Sequence, residues 1–172
     1  MGIPVEIERA PVLETLVAEP VRYVAALPVI AVAASDYAAG DVLSNSATDN
    51  AGVSIHLPGL ARSPGGVVTI TSIVIKCSED AVLASLRLHF FDRAPLAAEV
   101  EMDDNIPFDI KTAAGFGKWV GSILCNALAD RGTAASTSDT EGINKSFKCA
   151  PDETGLWMVI TTEVAEANES VS

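Results

Sequence analysis

The side chains able to do chemistry are few, and they stand apart from one another. His56 and His89 each sit in a run that alternates apolar and polar residues, Val53 to Leu57 and Ala84 to Asp92. A histidine placed by a carboxylate and a hydroxyl serves as a general base. Such triads are assembled in space and leave no fixed spacing in the sequence; no G-x-S-x-G elbow accompanies the histidines, and both read as core-edge or surface residues. The acids Glu99, Glu101, Asp103, Asp104 and Asp109 offer the hard oxygens that Ca²⁺ takes from a loop, but without the EF-hand order or its central glycine. Carboxylate pairs at a fixed separation also hydrolyse glycosides. With two Trp and two Tyr in the chain, sugar-stacking residues are scarce, and the cluster reads as a solvated loop. The stretch Gly115-Phe-Gly-Lys-Trp119 suggests a phosphate loop but fails its spacing. A P-loop needs glycine where Thr112 stands, and a dinucleotide fingerprint needs it where Val120 stands. It reads as a turn entering a strand.

Cys77, Cys125 and Cys149 are widely spaced, odd in number and free of any C-x-x-C pair. That pattern fits buried thiols in a reducing compartment. No ligand pair has zinc spacing. The sequence thus nominates no catalytic, cofactor-binding or metal-binding residue, and no cofactor is expected. Phe90, Phe91, Phe108, Phe116, Trp119 and Trp157 read as core, with some free to anchor an interface.

The elements that carry these residues read as strands. Gly66 to Cys77 is rich in Val, Ile and Thr, the signature of an extended segment. Ala84 to Asp92 alternates Leu86, Leu88 and Phe90 with Arg87, His89 and Phe91. Further strands are expected at Tyr23 to Ala33, Val53 to Leu57, Trp119 to Cys125, Ile143 to Cys149 and Leu156 to Val164. Residues 35–52 read as loop or loop plus a short strand, 92–115 as irregular, and Asn126 to Asp139 as loop. Helical periodicity is not sustained anywhere, although a short helix fits residues 79–85 or 111–118. Short strands between Gly, Pro, Asn and Asp turns predict an all-β fold, an antiparallel β-sandwich or jelly-roll-like barrel. Pro4, Pro11 and Pro20 punctuate an extended N-terminal arm over residues 1–22. A single β domain follows over 23–165, with a polar acidic tail over 166–172.

The 172 residues are 49% apolar and 20% charged, a globular composition. Acids outnumber bases 23 to 11, for a net charge of −12. Such a chain is a poor general binder of nucleic acid or of anionic membrane, both of which want Lys and Arg. The N-terminus has acids where a secretion signal has bases, and the apolar run from Val24 to Ala34 is interrupted by Pro28 and too short to span a bilayer. Neither nucleic acid nor membrane is expected as a partner.

Several ordered pieces resemble a known group. They are Tyr37-Ala-Ala-Gly40-Asp41-Val, Leu60-Ala-Arg62 with Gly65-Gly66, Ile70-Thr-Ser-Ile-Val, Leu88-His-Phe-Phe91-Asp-Arg-Ala-Pro95 and Asp104-Asn-Ile-Pro107. Their order resembles small tailed-bacteriophage virion proteins, some of them head decoration (cement) proteins. The resemblance covers roughly residues 35–110. It implies a β-sandwich subunit without catalytic residues that binds the outside of an icosahedral capsid. It also implies the major capsid protein as partner, a homo-oligomer with a trimer favoured, and assembly onto the virion in bacterial cytoplasm. The alternatives are a phage tail, baseplate or fibre protein and a carbohydrate-binding adhesin holding Ca²⁺ at Asp103 and Asp104. A hydrolase built on His56 or His89 ranks last.

Overall fold

β-branched side chains crowd a helix and sit easily on a pleated strand, and strands form where they concentrate. The computed structural model describes residues 24, 37–46, 48, 51–77, 85–132 and 135–163. In chain order these make β1 (Val42–Leu43), β2 (Ile55–Leu57), β3 (Val67–Cys77), β4 (Leu86–Phe91), α1 (Ala113–Lys118), β5 (Trp119–Leu124), β6 (Ala129–Asp130), β7 (Ser136–Lys148) and β8 (Leu156–Thr162). The arm over 1–22, the tail over 166–172, the strand expected within 23–33 apart from Val24, and most of 79–85 lie outside the described residues.

The strands pair into two antiparallel sheets. In one, β8 is central: β4 flanks it on one side, β1 and β2 share the other, and β5 extends the sheet beyond β4. The other runs β3-β7-β6. The all-β expectation holds. Among the described residues the strands leave two separate sheets, and no ladder joins them into a closed ring.

Alternation decides what each sheet buries. Leu86, Leu88 and Phe90 of β4, Ile123 of β5 and Leu156, Met158 and Ile160 of β8 turn one way. They meet Val68 of β3 and Phe147 of β7, and the Phe90 and Phe147 rings lie 4.9 Å apart across the gap between the sheets. Burying each such side chain contributes about 1.5–3 kcal/mol. The other face of the larger sheet is covered too. Val42, Phe91, Val100, Met102 and Val159 form a second cluster beneath the 92–112 segment, joined by Phe108, Trp119 and Trp157.

The stretch from Asn126 to Asp139 is not the loop its composition suggests. It holds β6 and the start of β7, and the short strand expected at Ile143 to Cys149 is the far end of β7, 13 residues long. The reason is that the inward positions of β7 begin with hydroxyls, Ser136, Ser138 and Thr140, all buried. Ser138 donates to the Asn126 carbonyl at 2.6 Å, and Thr140 accepts from the Asn126 N–H at 2.9 Å. Satisfied hydroxyls can occupy core-facing positions, and they erase the apolar alternation that marks a strand.

Candidate functional site

The second face of the larger sheet carries His89, and the acidic 99–109 segment packs over it. Odd positions of β4 and β8 point there: Arg87, His89 and Phe91 from one strand, Trp157, Val159 and Thr161 from the other. His89 is 8% exposed and stacks on Phe108, with ring centroids 3.9 Å apart. Its Nε2 lies 3.3 Å from Thr161 Oγ1, and its Nδ1 is buried without a hydrogen-bond partner. Burial pulls the His89 pKa from 6.5 down to about 4, aided by the Arg87 cation and opposed by Glu163. Arg87 makes a two-pronged ion pair with Glu163, from Nε and from Nη2, the latter at 3.1 Å. That pairing holds the Glu163 carboxyl below its ordinary range.

His56 stands on β2 opposite Trp157 and stacks on its indole at 4.1 Å. β8 lies between the two histidines, so strand spacing alone keeps them about 10 Å apart. The structure therefore does not bring them together. His89 has a hydroxyl partner in Thr161, but Thr161 is 1% exposed and out of a substrate's reach. A neutral, enclosed imidazole stacked on a ring acts as a packing element. An imidazole stacked on indole at the surface does the same for His56.

The acids also disperse. Glu99 pairs with Lys118 and accepts from the Leu96 N–H at 2.9 Å. Glu101 pairs with Lys111 at 2.8 Å and accepts from the N–H groups of Met102 and Asp103. Asp104 accepts from the Tyr37 hydroxyl at 2.9 Å and the Ser44 N–H at 2.8 Å. Burial, reinforced by Asp41, pushes its carboxyl up, against those two hydrogen bonds. Asp109 takes part through its backbone carbonyl, which accepts from the Glu101 N–H. Among the described residues, no three His, Cys, Asp or Glu side chains converge on a point where a metal ion would sit. Glu99, Glu101 and Asp104 brace loop 94–112, each on partners of its own.

Gly115 to Trp119 forms most of α1 and its exit into β5. Thr112 caps the helix, accepting from the Gly115 N–H at 3.1 Å. A side chain at Gly115 would strike the Glu99 carbonyl, so this glycine serves close packing. Cys125 and Cys149 are buried, Cys77 is half-buried, and all three are free thiols. Burial pushes the Cys125 thiol up to about 11, which leaves it protonated and inert at neutral pH.

Sequence reasoning does not single out a surface cleft of about 310 Å³ between the 52–54 and 94–97 segments, with Trp157 and Met102 in its lining. Val53 and Leu96 on its rim are each 60% exposed. None of its lining side chains titrates. It can receive an apolar group and cannot transfer a proton. The alternation at Val53 to Leu57 is its only sequence trace.

Among the described residues no helix is long and apolar enough to cross a membrane. No family model matches the chain, no curated protein matches it, and no solved structure matches its fold.

Proposed function

We propose that this chain is a structural, non-enzymatic virion protein, a decoration protein that binds the outside of a tailed-phage capsid and bridges its major capsid proteins. The observation that carries the reading is how the resembling pieces are used. Tyr37–Val42 and Asp104–Pro107, far apart in sequence, interlock on one side of the larger sheet. Tyr37 bonds Asp104, Asp41 bridges Pro107, the Val42 N–H donates to the Ile106 carbonyl at 2.9 Å, and the Phe108 N–H donates to the Gly40 carbonyl at 2.9 Å. Leu88, Phe90 and Phe91 from a third piece supply core to both clusters. The resembling pieces hydrogen-bond to one another and supply core, which supports a structural role in a many-copy shell.

The finer architecture belongs to the same proposal. The two sheets face each other across one apolar core, with Phe90 against Phe147, as the layers of a β-sandwich do. A protein that binds only the expanded shell stabilises that shell by mass action.

The deciding experiment is the copy number and location of the chain in purified virions, by quantitative mass spectrometry and cryo-EM. Hundreds of copies on the outer shell support decoration. A few copies at a tail vertex replace it with a tail or baseplate role. Absence from the particle removes the virion reading. A second arm compares binding to expanded heads with and without residues 1–22, and equal shell stability in both takes the arm out of the mechanism.

A further inference from the structure

We propose that the chain pairs with a second copy of itself through the open edge of β3, antiparallel and about a two-fold axis. The inference is independent of the virion reading. β3 has β7 along one edge, and among the described residues no strand lies along the other. The Cys149 N–H donates to the Gly66 carbonyl at 2.9 Å. Hydrogen-bonded pairs alternate in an antiparallel ladder, so Gly66, Val68 and Ile70 face β7. Val67 and Thr69 present their N–H and C=O groups outward.

An open edge is normally guarded by proline, by charge, by an extra bulged residue or by brevity. β3 is 11 residues long, has no proline, and carries Lys76 as its one charge. The register slips once, between Ile70 and Ser72, where residues 142–144 of β7 lie opposite Thr71 and the inward phase of β3 moves from Ile70 to Ile73; on either side of that step the strand is regular. The side chains tell the same story. Ile70, Ile73 and Ile75 turn toward the core and stay half-buried, while Val67 and Val74 on the outer side are 64% and 55% exposed. A neighbouring strand would cover the flanks of all five.

Charge selects the occupant. At −12, two copies repel over most of their surface. Val67 to Ile75 carries no charge, whereas β6 and β7 carry Asp130, Asp139 and Glu141. At this edge two acidic copies can meet without opposing carboxylates. A dyad between Ser72 and Ile73 sets Ile70 against Ile75 and Thr69 against Lys76, core-facing beside core-facing and outer beside outer. The contact is isologous and closes at two copies.

The test is the solution mass of the full chain by sedimentation equilibrium, for the wild type, Thr69→Pro, Thr69→Ala and Val74→Lys. Proline at 69 removes an N–H that points away from β7, so the internal ladder keeps its bonds. Alanine removes the Thr69 hydroxyl contact with Ser146 and keeps the N–H. The proposal expects a mass of twice 17.9 kDa for the wild type and Thr69→Ala. For Thr69→Pro and Val74→Lys it expects association weakened about tenfold or more, with circular dichroism unchanged. Val74→Lys adds a cation on an exposed face and decides the matter should Thr69→Pro fail to fold. A wild type that stays monomeric, a trimer, or a dimer indifferent to both substitutions overturns it.

Discussion

The Tyr37 hydroxyl donates to both carboxylate oxygens of Asp104, at 2.9 and 3.1 Å, across 67 residues of chain. The same carboxylate accepts from the Ser44 N–H, so one side chain ties both flanks of β1 to the loop that covers the sheet. Burial and the neighbouring Asp41 work against the charge on Asp104, and these two donors sustain it.

Tyr37→Phe keeps the ring and removes the donor. Losing one hydrogen bond to a half-buried carboxylate costs about 1–2 kcal/mol at neutral pH. Asp104 takes its proton more readily as pH falls, so the loss shrinks in acid. Urea unfolding of Tyr37→Phe, Asp104→Asn and the double variant checks this through a coupling energy of about 1 kcal/mol. Additive single effects would mean that the pair contributes nothing beyond its separate packing.

β3, β4, β5 and β8 are legible in the sequence because their alternating or β-branched residues match the period of a strand. β7 is not, since its inward Ser136, Ser138 and Thr140 mimic a loop until Asn126 is known to satisfy two of them. A short helix within 111–118 is legible from the lack of β-branched residues after Thr112. The site is less readable. Stacking of His89 on Phe108 and of His56 on Trp157, like the dispersal of Glu99, Glu101 and Asp104 onto separate partners, depends on which strands become neighbours. No local pattern encodes that.

His89 makes stability depend on acid. Its folded pKa, about 4, lies below the ordinary 6.5, so the unfolded chain takes up the proton first as pH falls. The contribution is complete above 6.5 and drains as pH drops toward 4, by at most about 3 kcal/mol. Glu163, held low by Arg87, adds its own loss further down, in the carboxylate range. Denaturant midpoints between pH 7 and 5 should fall for the wild type and stay flat for His89→Gln. Equal slopes in the two proteins would place the acid sensitivity elsewhere.

Two phenylalanines of equal size mark the limits of the core. Phe90 is 1% exposed and packs on Phe147, whereas Phe116 is 63% exposed on α1. Phe90→Ala removes a ring from the space between the sheets and should cost about 3–5 kcal/mol. Phe116→Ala should stay within about 0.5 kcal/mol of the wild type. A thermal melt of each variant measures the contrast.

Gly115 and Gly117 share one short helix and should respond oppositely to the same substitution. Alanine is the better helix former by about 1 kcal/mol, which favours both changes. A Cβ at Gly117 would meet nothing within 4 Å, so Gly117→Ala should raise stability by a few tenths to about 1 kcal/mol. At Gly115 the same atom would lie 2.5 Å from the Glu99 carbonyl oxygen and 3.1 Å from Val100 Cγ2. Backbone cannot rotate away as a side-chain tip can, and Glu99 is further held by Lys118 and by the Lys111 N–H on that very carbonyl. The helix must then shift off the loop. That strain should outweigh the propensity gain and leave Gly115→Ala about 1–3 kcal/mol less stable than the wild type. Chemical unfolding of both variants decides it, and a stabilised Gly115→Ala would show that α1 does not pack against residue 99 as described.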